Sequence, residues 1–447
     1  MAAKIMKVEI ISKETIKPSS STPSHLKTSK LSFLDQFIPP IHCRVVYFYP
    51  KSDHHDSTSA TSELLKKSLS QTLARFYPLA GRIINNTTID CNDEGAQYVE
   101  ARCQGLLSTF LDQSPDLSQL QHFLPEMNQS PELGIWPQLA IQATFFDCGG
   151  MALDVCTAHK LIDAATVGMF IKSWAETSLN NCSDGDHQTA DVVPSFDGAS
   201  YFPPADPSFF RAPNVKPDEI ECVTKRFVFD KTKVADLKAK VSSQGILSPS
   251  RAQVVTALIW KCAIAVSRSN SGGVVPTRFS LSQTMDIRKR TQPPLPDCLV
   301  GNGSTFIFAE TSDQEPELKD LVSEIRRGIK DFTENKAKRL RGDDPSGAIF
   351  EDFIKFGQLI GCEHTHKLVV SSMCNFQLYE VAEFGWGKPI WVTVPVATGH
   401  GNFVRLMDTK EGGVEAFVTL SKEDMTLFEC DSELLDFAYL SNLNSII

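Results

Sequence analysis

Residues 145–176 read FFDCGGMALDVCTAHKLIDAATVGMFIKSWAE, and this stretch predicts a β-hairpin whose second strand leads into a helix. Gly149 and Gly150 lie between two apolar runs, which indicates a tight turn. From Met151 onward, apolar side chains alternate with others, and side chains two positions apart share one face of a strand. Because His159 continues the apolar face, we expect its imidazole to leave the strand end toward a mostly apolar interior.

Asp163 stands four residues after His159, just before a run with helical spacing. Aspartate is a preferred helix N-cap, and its carboxylate favours the positive end of a helix. We therefore expect Asp163 to support the structure without contacting the imidazole. For His159 the residues alone leave two interpretations open. One is a hydrogen-bonded core histidine, and the other is a general base for a hydroxyl proton.

The spacing His-x-x-x-Asp is a weak signal by itself, because ordinary composition gives about half a chance match per chain of this kind. A second match, from His187 to Asp191, lies in a polar segment with no strand before it. We interpret this second match as a chance occurrence. Only the structural context separates it from the first.

Length and composition bound the possible functions. A chain of 447 residues exceeds the usual size of one domain, so we expect two domains or two large lobes. The formal net charge of −10 makes nucleic acid and anionic membranes poor partners. The 12 cysteines show no paired CxxC spacing, which fits a reducing compartment. No signal peptide and no apolar run near the ~18 residues of a membrane span are evident, so we expect a cytoplasmic protein.

Both halves of the chain mix strands and helices without strict βαβ alternation, which predicts an α/β fold with mixed sheets. A stretch rich in Asn, Asp, Ser, Gly and Pro interrupts the pattern in the middle. We therefore divide the chain into an N-terminal lobe (1–180), a crossover linker (181–217) and a C-terminal lobe (218–447). Long helices are expected over residues 315–340 and 423–440.

Residues 383–389, EFGWGKP, form a second unusual stretch. Two glycines flank Trp386, and glycine permits positive φ, so we expect a tight loop around a buried indole. Such a loop can support a site without contacting the substrate.

Other candidates are weaker: His364 and His366 lack an evident third metal ligand, so no metal site is expected. A basic cluster is interpreted as a solvated helix end with a small chance of meeting phosphate, and its members are Lys336, Lys338, Arg339 and Arg341.

The segments from His159 to Asp163 and from Glu383 to Gly387 lie in opposite halves, and together they resemble the HxxxD and DFGWG motifs of the plant BAHD acyltransferases. Further matches are YPLAGR at 77–82, DCNDEG at 90–95 and DIR at 286–288. The segments 11–18 and 387–394 look most like the branch of vinorine synthase and salutaridinol acetyltransferase. The resemblance covers essentially the whole chain, and it favours the general-base interpretation of His159.

The resemblance implies two lobes, each similar to a chloramphenicol acetyltransferase subunit, with a channel between them that reaches His159 from both ends. It also implies that Arg288 pairs with the carboxylates of both motifs, so Asp163 and Glu383 would be mainly structural. The other structural residues implied by the motif are Gly385, Trp386 and Gly387.

Two departures from the family pattern bear on function. Glu383 replaces the family aspartate and is one methylene longer, which leaves open a catalytically silent relative that binds metabolites. Gly303 stands where malonyl-transferring relatives have cysteine, which argues against an anthocyanin malonyltransferase.

The function that the resemblance implies is O-acylation with acyl-coenzyme A (acyl-CoA) as co-substrate. Acetyl is the expected group, and the expected acceptor is a hydroxyl of an alkaloid or terpenoid. A hydroxycinnamoyl or benzoyl transferase on the same scaffold is the alternative enzyme. We expect a monomer with no permanently bound cofactor. The residues that bind coenzyme A are not assigned, although the helix after Ser250 is a reasonable place for them.

Overall fold

The computed structural model describes residues 7–52, 57–113, 117–126, 136–182, 193–206, 221–270, 276–341, 345–362, 365–395 and 401–441. The strands are β1 (Val8–Ile16), β2 (Thr28–Lys30), β3 (His42–Tyr49), β4 (Arg82–Ile84), β5 (Thr88–Asp90), β6 (Ala96–Cys103), β7 (Leu139–Phe146), β8 (Met151–Ala158), β9 (Cys222–Phe229), β10 (Arg278–Asp286), β11 (Ser304–Thr311), β12 (Thr365–Ser372), β13 (Trp391–Thr393), β14 (Phe403–Asp408), β15 (Val414–Ser421) and β16 (Tyr439–Leu440). The α-helices are α1 (Phe33–Phe37), α2 (Thr58–Arg75), α3 (Leu107–Gln113), α4 (Ala164–Cys182), α5 (Gly198–Tyr201), α6 (Lys231–Ser243), α7 (Arg251–Ser269), α8 (Leu318–Asp331), α9 (Pro345–Gly361), α10 (Lys422–Phe428) and α11 (Ser432–Phe437).

Two large mixed sheets organise the described residues, which confirms the expected α/β class. The first has the order β1-β6-β7-β8-β3-β13, the second has the order β11-β10-β12-β14-β15-β9-β16, and β2, β5 and β4 form a small third sheet. In the first sheet, β13 pairs antiparallel with β3. A strand from the C-terminal half therefore completes the N-terminal sheet. The expected division at residue 217 does not separate the two sheets, because the chain returns to the first sheet near residue 391.

The hairpin predicted from the sequence is formed by β7 and β8, which pair antiparallel. Gly149 has a φ of +85°, a conformation that glycine adopts without steric cost. The amide of Phe146 donates a hydrogen bond to the carbonyl of Gly150 (2.8 Å) and closes the turn. Strand β8 lies between β7 and β3, and all of its residues are buried. Both faces of the strand are covered because Leu153 packs in one hydrophobic cluster and Ala152 in another.

The helix expected over 315–340 is shorter than predicted. Helix α8 ends at Asp331, and a π-helical turn follows over Phe332–Lys336. The amide of Ala337 donates to the carbonyl of Phe332 (2.8 Å), five residues earlier. Phe332 and Ala337 are both buried, and this wider turn keeps both in the core.

The helix expected over 423–440 is divided into α10, α11 and β16. Asp431 interrupts it because its carboxylate accepts a hydrogen bond from the amide of Leu434 (2.9 Å) and caps a new helix. The final residues then pair antiparallel with β9 instead of continuing as helix. None of the helices in the described ranges is long and apolar enough to cross a membrane.

The two halves of the chain share one apolar cluster. Val155 and Trp174 from the N-terminal half pack in it with Phe384 and Phe417 from the C-terminal half. The strand that carries His159 therefore ends at the junction of the two halves.

Candidate active site

His159 extends the ladder of β8 by one residue, because its amide donates to the carbonyl of Ile41 (2.9 Å). Its Nδ1 lies 3.0 Å from the carbonyl oxygen of Ile162. A carbonyl can only accept, so in the neutral ring Nδ1 carries the proton and Nε2 is the acceptor nitrogen. The residue as a whole is partly exposed. This geometry suits a general base that is held in one tautomer.

Cys43 is a titratable neighbour of the imidazole that the sequence analysis did not single out. It pairs with Thr157 across β3 and β8, which places it diagonally opposite His159 on the same face. Hydrogen bonding between the two side chains is among the causes that shift their pKa values. Burial lowers the pKa of His159, but the charge of the Cys43 thiolate and this hydrogen bond raise it, to about 9 overall. Burial raises the pKa of Cys43, but His159 and then Arg405 lower it below its usual value.

Asp163 begins α4 as expected, since its carboxylate accepts a hydrogen bond from the amide of Thr166 (3.0 Å). The same carboxylate accepts two hydrogen bonds from the guanidinium of Arg288 (2.8 and 3.1 Å) and one from the amide of Gly303 (2.9 Å). Burial raises the pKa of Asp163, but the charge and hydrogen bonds of Arg288 lower it below its usual value. The bonds of this carboxylate run to the helix start and to the C-terminal half, and none of these bonds involves the imidazole.

Arg288 connects the two halves through Asp163 and also pairs with Asp286 (3.2 Å). The expected pairing with the carboxylate of the second motif is not present, because Glu383 bonds within its own loop.

Gly303 has a steric reason to be glycine, because a Cβ there would lie 2.6 Å from the Arg288 guanidinium. The ion pair with Asp163 fixes that guanidinium, so a larger residue at 303 would displace it.

Glu383 organises the loop in which it stands. Its Oε1 accepts hydrogen bonds from the amides of Gly385 (3.1 Å) and Gly387 (2.8 Å). Both glycines have positive φ, +114° and +99°, as the sequence analysis anticipated. Trp386 is buried, and its ring stacks on that of Phe384 with centroids 5.4 Å apart. The loop is therefore well packed, and its Phe384 and Trp386 belong to the apolar cluster that the two halves share.

Two buried residues that the sequence analysis missed hold the backbone of His159. The Nδ2 of Asn302 donates to the carbonyl of His159 and to Oδ1 of Asp35, each at 2.9 Å. Asp35 also accepts from the amide and hydroxyl of Ser32 in a capping box at the start of α1. The capping box is a local pattern and was available in the sequence. Asn302 and His159 are 143 positions apart, so no local sequence pattern could predict their contact.

A cavity of about 350 Å³ lies beside the end of β14. Arg251, at the start of α7, and the exposed Lys410 contribute positive charge to its wall. Met407 also lines the cavity and shares a face of β14 with Arg405, which interacts electrostatically with Cys43. The cavity therefore borders the same face of β14 as Arg405.

The remaining candidates from the sequence do not join this site. His366 is largely buried on β12, and burial lowers its pKa to about 4. In the basic cluster, Lys336 pairs with Asp352, and Arg339 pairs with Glu351. His364 and the match from His187 to Asp191 lie outside the described residues. Within the described ranges, no group of three His, Cys, Asp or Glu side chains is arranged to hold a metal ion.

Comparison with known proteins places the chain in a family. A model of the transferase family matches residues 6–435. Stemmadenine O-acetyltransferase of Catharanthus roseus is 36% identical over 436 residues, which cover 95% of this chain and 96% of that protein. BAHD acyltransferase BIA1 of Arabidopsis thaliana is 36% identical over 446 residues, which cover 97% of this chain and 98% of that protein.

The same relationship holds for the fold. The crystal structure of vinorine synthase matches with a TM-score of 0.84 and 34% identity, and the match covers 98% of this chain and 100% of that one. Sequence and fold agree over nearly the full length of the chain, which is therefore a member of the BAHD family of acyltransferases.

Proposed function

We propose that the chain transfers an acetyl group from acetyl-CoA to a hydroxyl of a plant specialised metabolite, either an alkaloid or a terpenoid. The observation that carries the proposal is His159, whose Nδ1 is held by the Ile162 carbonyl while Nε2 is left as acceptor. The names of relatives such as stemmadenine O-acetyltransferase support the acetyl group and the metabolite acceptor. We further propose that the chain acts as a cytoplasmic monomer with lobes 1–180 and 218–447, of which the second contributes β13 to the sheet of the first.

In this mechanism the Nε2 of His159 removes the proton of the acceptor hydroxyl as its oxygen attacks the thioester carbonyl. The tetrahedral intermediate then collapses, the coenzyme A thiolate leaves, and the imidazolium returns the proton to it. Both substrates are bound together, so the acyl group passes directly from the donor to the acceptor. Binding also holds the two reacting groups in a favourable orientation. Asn302 contributes by fixing the backbone of His159, and the ion pair of Asp163 with Arg288 holds the helix that follows.

The donor is proposed to enter through the cavity at the end of β14. A phosphate-bearing donor needs local positive charge, because the chain as a whole carries −10. Arg251 and Lys410 are the basic residues of its described lining, which also holds the acidic Glu380 and Asp408. Arg251 pairs with Asp408, so Lys410 is the residue proposed to meet a phosphate. The donor's acyl end would then extend past Met407 toward His159.

The experiment that tests the proposal compares His159→Gln with His42→Gln. His42 lies on the adjacent strand, where its Nε2 contacts the Pro137 carbonyl (3.2 Å), and it serves as a matched control. Release of coenzyme A thiol from acetyl-CoA is measured over a panel of alkaloid and terpenoid alcohols. We expect His159→Gln to lose roughly 10²- to 10⁴-fold in turnover, as for removal of a general base. Near-full activity of a folded His159→Gln protein would contradict the assignment.

The acyl group is tested by donor competition. Acetyl-CoA, benzoyl-CoA and p-coumaroyl-CoA are offered together at equal concentration, and the ester products are separated by mass. A product mixture dominated by the acetyl ester is expected. Predominance of an aromatic ester would replace acetyl with that donor while leaving the role of His159 in place.

A further inference from the structure

Cys43 lies in an environment that differs from that of the other cysteines described on the surface. Its side chain is half-buried and faces the imidazole of His159 from the neighbouring strand. Cys182, Cys362 and Cys430 are exposed. A thiol is activated when a base stands within hydrogen-bonding distance of it. Cys43 and His159 lie diagonally on the same face of β3 and β8, so the imidazole is the base that stands beside this thiol.

Arg405 provides an independent observation at the same place. Its Nε is shielded from solvent and has no hydrogen-bond partner within the described ranges. The guanidinium lies over the ring of Phe403, 5.3 Å from its centre, and it interacts electrostatically with Cys43. Arg405 is partly buried and forms no ion pair with a carboxylate in the described ranges, and such a cation favours a nearby anion. The thiolate of Cys43 is such an anion, so Arg405 and His159 together stabilise the nucleophilic form of the thiol.

We propose that Cys43 is a covalent modification site for soft electrophiles, chiefly α,β-unsaturated carbonyl compounds, and that the adduct closes the transfer site. The sulfur of the Cys43 thiolate forms a bond to the β-carbon of the electrophile. The π electrons move to the α-carbon, which takes a proton from the His159 imidazolium. The net reaction adds the thiol across the double bond and consumes no further reagent. The thioether then occupies the space beside the imidazole.

The loss of transfer activity rests on the proposed function, whereas the reactivity of the thiol does not. The protein is treated with substoichiometric N-ethylmaleimide at pH 7, and labelling of each cysteine is followed by peptide mass spectrometry. We expect Cys43 to react at least ~10-fold faster than the exposed cysteines, because a free thiol is only a few per cent ionised at pH 7. The exposed cysteines are internal controls in the same sample.

Two variants separate activation from mere accessibility. His159→Gln should slow labelling of Cys43 to the level of the exposed cysteines, and Arg405→Leu should slow it by a smaller factor. Cys43→Ala should keep its own starting activity after treatment, whereas the unmodified chain loses activity in step with Cys43 labelling. The proposal is overturned if Cys43 reacts no faster than Cys182, if His159→Gln leaves its rate unchanged, or if labelled protein stays active. The labelling rates decide the reactivity even if no acyl transfer is found.

Discussion

At the scale of single residues, the protonation of His159 sets the pH range of transfer. A general base acts only in its neutral form, and the pKa of His159 is raised to about 9 through Cys43, against the effect of burial. Below pH 9, the fraction of neutral imidazole therefore rises about tenfold for each unit by which the pH increases. We expect kcat/KM for the acceptor to rise with this slope from pH 6 and to level near pH 9.

Replacing Cys43 tests the cause of this shift. In Cys43→Ala the largest influences that raise the pKa of His159 are removed, while burial, a backbone hydrogen bond and the charge of Asp163 remain, so the plateau should move toward acid pH. Cys156→Ala is the matched control, since Cys156 is buried on β8 but is not among the groups that shift the pKa of His159. The measurement is the full pH profile of kcat/KM for the three proteins. Identical profiles would show that Cys43 does not control the imidazole.

The ion pair of Asp163 with Arg288 is a second feature at this scale. Both side chains are nearly inaccessible to solvent, so Asp163→Asn leaves a buried guanidinium with reduced compensation. Removing one partner of a buried pair costs roughly 3–5 kcal/mol in free energy of unfolding. Glu351→Gln is the control, because Glu351 and Arg339 form an exposed pair worth about 0–1 kcal/mol. Denaturant unfolding of both variants checks the difference, and equal losses would rule out a structural role for the pair.

At the scale of elements, local sequence patterns were sufficient to predict the structure where one element follows another directly in the chain. The turn at Gly149, β8 and the cap at Asp163 were all predicted, since each depends on residues a few positions apart. The two long helices were predicted wrongly because their ends are set by tertiary packing. The π-helical turn after Asp331 keeps Phe332 and Ala337 in the core, and no local sequence pattern predicts this turn.

The loop around Trp386 gives a prediction at the scale of an element. Glu383 departs from the family aspartate, yet its carboxylate reaches the amides of both flanking glycines. We expect Glu383→Asp to shorten this reach, destabilise the loop by about 1–2 kcal/mol, and leave turnover no higher than before. The measurements are thermal unfolding and initial rates with acetyl-CoA.

The outcome of this substitution also decides whether Glu383 marks a silent relative. A marked gain of activity in Glu383→Asp would mean that the longer side chain impairs the site, contrary to the geometry. Glu334→Asp, at an exposed position of the π-helical turn, serves as the control for a methylene removed elsewhere in the chain. It should change neither loop stability nor turnover.

At the scale of the whole molecule, the site exists only because distant segments meet. Asn302 reaches His159, and Arg288 reaches Asp163, across more than 120 positions of the chain. The family resemblance anticipated the involvement of Arg288 but implied a pairing with Glu383 that the fold does not make. Cys43 and Arg405 were missed because their meeting depends on how the two sheets face each other. Pattern and spacing carry no information about that arrangement.

The cavity beside β14, proposed as the donor entrance, gives the last prediction. Lys410 is exposed at the mouth of that cavity, so Lys410→Ala should weaken donor binding through lost charge, and KM for acetyl-CoA should rise roughly tenfold, about 1.4 kcal/mol. Arg251→Ala should have a larger effect, because Arg251 also binds Asp408 (2.8 Å) and shapes the wall. Arg268→Ala, at the other end of the same helix, is the matched control and should leave KM unchanged.

A truncated donor shows whether the effect comes from phosphate. Acetyl-N-acetylcysteamine retains the thioester but lacks the nucleotide and its phosphates, so Lys410→Ala should react with it as the unmodified chain does. The loss with acetyl-CoA should also shrink as salt is raised, because exposed charges are screened within about 8 Å at 0.15 M ionic strength. If both donors lose equally, the lysine acts through the shape of the cavity, and the phosphates of the donor bind elsewhere.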